Sequence, residues 1–78
     1  MTTEIITPDK ELFSGETKAV TVPGIDGSLG ILNRHAPLIS ALKKGRIKVT
    51  TPEGKEIFFE VNGGVVEVNN NKMIILAE

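Results

Sequence analysis

Apolar residues recur along this chain with a period of two. Arg46-Ile47-Lys48-Val49-Thr50 alternates polar and apolar, and Lys55-Glu56-Ile57-Phe58-Phe59-Glu60-Val61 puts Ile57, Phe59 and Val61 on one side. Successive strand side chains point to opposite faces, so each run predicts a half-buried β-strand. Thr51-Pro52-Glu53-Gly54 separates them. Pro at the second turn position and Gly at the fourth make this a hairpin. Further strands are predicted over 4–7, ended by Pro8; over 11–14, before a turn at Gly15; and over 16–22, with Val20 and Val22 inward. Others follow at 28–32, 38–42, 65–68 and 72–77. Asn62-Gly63-Gly64 and Asn69-Asn70-Asn71 read as turns, because Gly and Asn tolerate left-handed backbone. Residues 23–27 and 33–37 read as loops. Residues 38–42 also have the length of one helical turn, but β-branched Ile39 sits inside it. No longer stretch has helical spacing with caps. Strand-sized pieces between regular turn signals predict an all-β, two-layer sandwich or barrel.

Three apolar residues break the alternation. Phe58, Val65 and Ile74 fall on the parity opposite the other core positions of their strands. Either a strand is buried on both sides or displaced by one residue in register, or these side chains form an exposed patch for a partner.

The 78 residues make one domain at most, spanning 1–78. Area scaling gives roughly 4,600 Å² exposed when folded, so about 60% of the unfolded chain's surface is buried. A domain of this size without a disulfide is marginal alone and gains from a partner that covers more apolar surface. The net charge is −1, with no basic block to follow phosphates, which argues against nucleic acid. The chain has no Cys, so disulfides and thiolate metal sites are excluded. No apolar run approaches the ~20 residues of a spanning helix, and Met1-Thr2-Thr3-Glu4 lacks the basic start of a secretory signal.

Catalytic chemistry finds little to work with. His35 is the single histidine, with Arg34 beside it and no nucleophile or second ligand in view; a triad or zinc site needs such partners. Gly24, Gly27 and Gly30 recur every three residues, without the strand–G-x-G-x-x-G–helix context of a dinucleotide site. They either let a hairpin turn tightly or let a partner's backbone come close. The acid pairs Glu11 with Glu16 and Glu56 with Glu60 read as solvated strand faces. No catalytic residue, metal or cofactor is expected.

Several stretches together resemble the epsilon subunit of the F-type ATP synthase. They are Ile6-Thr7-Pro8 with Leu12-Phe13-Ser14-Gly15; Pro23-Gly24 with Gly27-Ser28-Leu29-Gly30-Ile31-Leu32; residues 35–45 from His35-Ala36-Pro37-Leu38 to Lys43-Lys44-Gly45; and Val61-Asn62-Gly63-Gly64-Val65-Val66-Glu67-Val68 with Ile75-Leu76-Ala77. The similarity covers nearly the whole chain, and the order of the motifs is more specific than any one of them. It implies a β-sandwich of about ten short strands at the foot of the central stalk. It also implies a rotor subunit that joins the gamma subunit to the c-ring and couples proton transport to ATP synthesis. In the family, the loops matching Gly27-Ser28-Leu29-Gly30 and Arg34-His35-Ala36-Pro37 face the ring. Ser28 stands where an acid is common, and Asn33-Arg34 where Pro-Gly is commoner, so Arg34 is a candidate source of charge. Phe58, Val65 and Ile74 are candidates for the gamma side. Members usually continue into a C-terminal helical hairpin that binds ATP or inhibits hydrolysis in some species. This sequence ends at Glu78, so no helical domain, ATP sensing or hairpin-type inhibition is expected of it. The expected location is peripheral, on the cytoplasmic face of a bacterial inner membrane, with the stromal side of a thylakoid as the alternative. A small ligand- or carbohydrate-binding β module is the competing class. It would want aromatic platforms, and the chain has three Phe with no Trp or Tyr.

Overall fold

The computed structural model describes all 78 residues and contains nine strands. They are β1 (Thr2–Ile6), β2 (Glu11–Glu16), β3 (Ala19–Gly24), β4 (Gly27–Leu32), β5 (Leu38–Leu42), β6 (Gly45–Thr50), β7 (Glu56–Val61), β8 (Gly64–Asn69) and β9 (Lys72–Ala77). The curled sheet runs β2-β1-β9-β8-β5-β3-β6-β7, with β4 on the other edge of β3. β5 meets β3 at a single pair, Gly24 with Leu42. The sheet therefore divides there into a layer of five strands, β2-β1-β9-β8-β5, and a layer of four, β4-β3-β6-β7. Only β1 and β9 run parallel.

The predicted alternation builds the core. Ile5, Leu42, Val66, Val68, Met73, Ile75 and Ala77 point inward from the first layer, and Val20, Val22, Ile31, Ile47, Val49 and Val61 from the second, with Met1 filling one end. Phe13 on β2 and Phe59 on β7 meet edge to face, ring centroids 6.1 Å apart, so the two edge strands close over the core. The accessible surface is 4703 Å², the value expected for a folded chain of this mass.

The hairpin at 51–54 forms as predicted: the Gly54 amide donates to the Thr51 carbonyl at 2.9 Å. Three expectations shift, and one alternative is resolved. The nine strands are the nine pieces legible in the sequence, one fewer than the family resemblance implied. Gly15 is no turn; it sits extended in β2 opposite Thr3. The reversal falls at Thr17-Lys18 instead, because the Thr17 amide and hydroxyl both donate to the Met1 carbonyl, at 2.8 and 3.2 Å. Pro23 and Gly24 continue β3, leaving a turn of only Ile25-Asp26. Residues 38–42 are strand rather than helical turn, since β5 pairs with β8 along its whole length. No helix is long and apolar enough to cross a membrane.

Candidate interaction surfaces

Alternation that fills the core leaves a second set of side chains outside. On the five-stranded layer, the register lines up Ala41, Val65, Leu76 and Ile6 across β5, β8, β9 and β1. The next row holds Ile39, Glu67, Ile74 and Glu4. Ile39 is 72% exposed, Leu76 55% and Val65 41%, while Ile6 and Ile74 are half-buried. Isolated exposed apolar residues are ordinary, but a contiguous group of six on one sheet face is a candidate interaction surface.

Val65 and Ile74 therefore lie together outside, and the register inferred from sequence was correct at both. Phe58 does not join them. It is exposed on β7, on the outward face of the other layer, where the Arg46 guanidinium covers its ring at 5.3 Å from the centroid. Its row there reads Gly30, Thr21, Lys48 and Phe58. Ile6, Ile39, Ala41 and Leu76 were missed. Leu76 has the parity of Ile74, so the period-two signal was sufficient to find it; Ile39 and Ala41 were hidden by the ambiguity over residues 38–42.

Gly27, Ser28, Leu29 and Gly30 are the first part of edge strand β4 rather than a loop. Arg34, His35, Ala36 and Pro37 follow its far end, all exposed, so the two groups lie along one edge strand and the connection that leaves it. The three spaced glycines divide between the two readings. Gly24 has no room for a side chain, whose Cβ would come 2.5 Å from the Gly27 carbonyl oxygen, and Gly27 has φ +135°, so both serve the turn. A Cβ on Gly30 would meet nothing within 4 Å. A Cβ on Gly27 would also meet nothing within 4 Å, so Gly27 and Gly30 both leave open space for an approaching partner, and Gly30 does so without a turn conformation of its own.

Four hydrogen bonds hold the loop at 33–37. The Arg34 amide donates to Asn71 Oδ1 at 2.7 Å, the His35 amide to the Leu32 carbonyl at 3.1 Å, and His35 Nδ1 to the Ala36 carbonyl at 2.7 Å. Arg34 has φ 64°, a left-handed conformation that favours glycine. A glycine, the residue the family resemblance leads one to expect here, would adopt this backbone without strain. Asn33 Oδ1 accepts from the Met1 ammonium at 2.7 Å; the ammonium also donates to the Thr17 carbonyl at 3.1 Å and to Glu16 Oε1 at 3.3 Å. Hydrogen bonding from Thr2, then from this ammonium, lowers the Glu16 pKa below its ordinary value. The acids read from sequence as solvated are mostly paired: Glu60 with Arg46 at 2.8 Å, Glu56 with Lys48 at 3.6 Å, and Glu16 with the N-terminus.

The family model described as "ATP synthase, Delta/Epsilon chain, beta-sandwich domain" matches residues 1–78. The ATP synthase epsilon chain of Chlorobium limicola is 44% identical over 75 residues, covering 96% of this chain and 85% of that one. The epsilon chain of Dichelobacter nodosus is 45% identical over 74 residues, covering 95% of this chain but 52% of its own length. The chain thus matches most of one relative and about half of another. Among solved structures, a chain of the Tetrahymena thermophila mitochondrial ATP synthase central stalk/c-ring superimposes with TM-score 0.85 at 25% identity, over 99% of this chain and 62% of that one. A chain of the Euglena gracilis mitochondrial ATP synthase shares the fold, with TM-score 0.90 at 23% identity, over 96% of this chain and 48% of that one.

Proposed function

Because the chain belongs to the delta/epsilon β-sandwich family of ATP synthase, we propose that it is a non-catalytic rotor subunit that joins the gamma subunit to the c-ring and helps couple proton transport to ATP synthesis. The observation that carries this reading is the uncovered apolar face of the five-stranded layer. A stalk subunit needs grip and stiffness rather than reactive groups. A close-packed two-layer interior resists compression and so transmits torque. An apolar centre with a polar surround supplies grip and register.

We assign the gamma side to Ile39, Val65, Ile74 and Leu76, with Ile6 and Ala41 continuing the surface. Phe58 leaves this group, because it belongs to the opposite face. The ring side is the border formed by Gly27, Ser28, Leu29, Gly30, Arg34, His35, Ala36 and Pro37. Ile25, 60% exposed at the tip of the β3–β4 turn, extends it. The reading gives residues 1–78 a docking role rather than nucleotide sensing. It places them peripherally, where the stalk meets a membrane ring, on the cytoplasmic side in a bacterium.

Co-purification tests the assignment. The chain should appear in detergent-purified ATP synthase of its own cell and should bind purified gamma subunit. Absence from both would refute it. Arg34→Glu should weaken retention on the ring without reducing binding to isolated gamma; unchanged assembly would remove Arg34 from the ring contact.

A further inference from the structure

Glu67 stands in the middle of the apolar face. Ile39 on β5 and Ile74 on β9 are its direct cross-strand neighbours. Three shallow hollows open on or beside this face, and Glu67 lines each of them. Six glutamates lie in strands, and four of them, Glu4, Glu16, Glu56 and Glu60, have a cation within 4.0 Å. Glu11 begins an edge strand in water. Glu67 is the one left without an ion pair inside a sheet face. Lys72, the cation on β9, is turned to Glu4 at 4.0 Å.

Whatever covers this face must deal with that carboxylate. An unpaired charge buried at an interface is strongly unfavourable, whereas a matched cation restores its interactions and fixes register. β1, β8 and β9 have bonded neighbours on both sides, so no strand can add to them and recognition over these three runs through side chains. Four strands about 4.8 Å apart make a strip of roughly 14 Å, which a helix about 10–12 Å thick covers.

We propose that the gamma segment docked here is an amphipathic helix whose apolar side carries one Lys or Arg, seated on Glu67 between Ile39 and Ile74. This rests on the reading that the face meets gamma. Apolar contact supplies the affinity; the single charge pair selects the register and disfavours apolar segments that lack a cation.

Binding to the purified gamma subunit of the same organism tests it, with the full chain as titrant. Glu67→Gln should weaken binding about tenfold, and Glu67→Leu at least as much, although Leu enlarges the apolar surface. Position 67 faces outward, so the thermal midpoints of both variants should stay close to wild type. Equal or tighter binding by Glu67→Leu would overturn the inference, because an unmatched carboxylate would then only have opposed docking. Unchanged binding by Leu76→Asp would overturn it too, since gamma would be held elsewhere. If the wild-type chain fails to bind gamma at all, the functional assignment falls and the inference with it. If wild type binds and only the Glu67 variants behave normally, the assignment stands and the inference alone is lost.

Discussion

Ile74 and Ile75 are neighbours in β9 with opposite fates, and truncating each to Ala separates fold from docking. Ile75 is fully buried between the layers. Its truncation removes three carbons, about 2.4 kcal/mol at ~0.8 kcal/mol per buried CH₂. Neighbours on two layers cannot fully collapse into the space, so a cavity cost raises the total to about 3–4 kcal/mol. In a domain this small, each kcal/mol moves the midpoint by about 4–8 °C, so Ile75→Ala should melt roughly 12–30 °C lower. Ile74 is half-buried on the outer face. Its truncation removes about half that transfer energy and opens no cavity, costing about 1 kcal/mol. Binding to gamma should rank the other way: Ile74→Ala weakens it by about 1–2 kcal/mol. Ile75→Ala, measured well below its midpoint, leaves it near wild type. Circular-dichroism melts and calorimetric titration against gamma read the two quantities. Equal destabilisation by the two variants would refute the register of β9, and equal binding would refute the assignment of its outer face.

Gly64→Ala should be among the most damaging changes in the chain. At φ +142° the new Cβ would collide with the Leu76 carbonyl oxygen and lie 3.0 Å from Ala77 Cα. Loss of about 3 kcal/mol or more in urea unfolding is expected, and a near-neutral result would contradict the β8–β9 geometry. Arg34→Gly should raise stability by about 0.5–1 kcal/mol, the left-handed cost less the entropy of glycine; a lower melting point would show that the Arg34 side chain contributes more than its backbone costs. Glu16 has a lowered folded pKa, so its contribution is complete above the unfolded glutamate pKa of about 4.3 and is lost as pH falls through the folded value. The melting-point gap between wild type and Glu16→Gln should therefore be largest near neutrality and shrink below about pH 4. A gap independent of pH would remove the ammonium–Glu16 contact from the account.

The chain's own pattern determined a great deal. Period-two alternation and Gly, Pro and Asn punctuation located nine strands, because each strand has one dry face and each turn needs a particular backbone geometry. The same parity singled out Phe58, Val65 and Ile74 and left open whether they face outward. Motif order identified the family. Tertiary structure decided what local pattern does not encode: which outward faces share a layer. Val65, Ile74 and Phe58 look alike in sequence, yet the pairing of β8 and β9 with β5 and β1 puts two of them on one surface and Phe58 on the other. It also decided that β2 runs through Gly15, because the turn is set by hydrogen bonds from Thr17 to a residue sixteen positions away. Glu67 became informative only when the register placed two isoleucines beside it. Alternation is a property of neighbours along the chain, whereas a surface is made by neighbours across it.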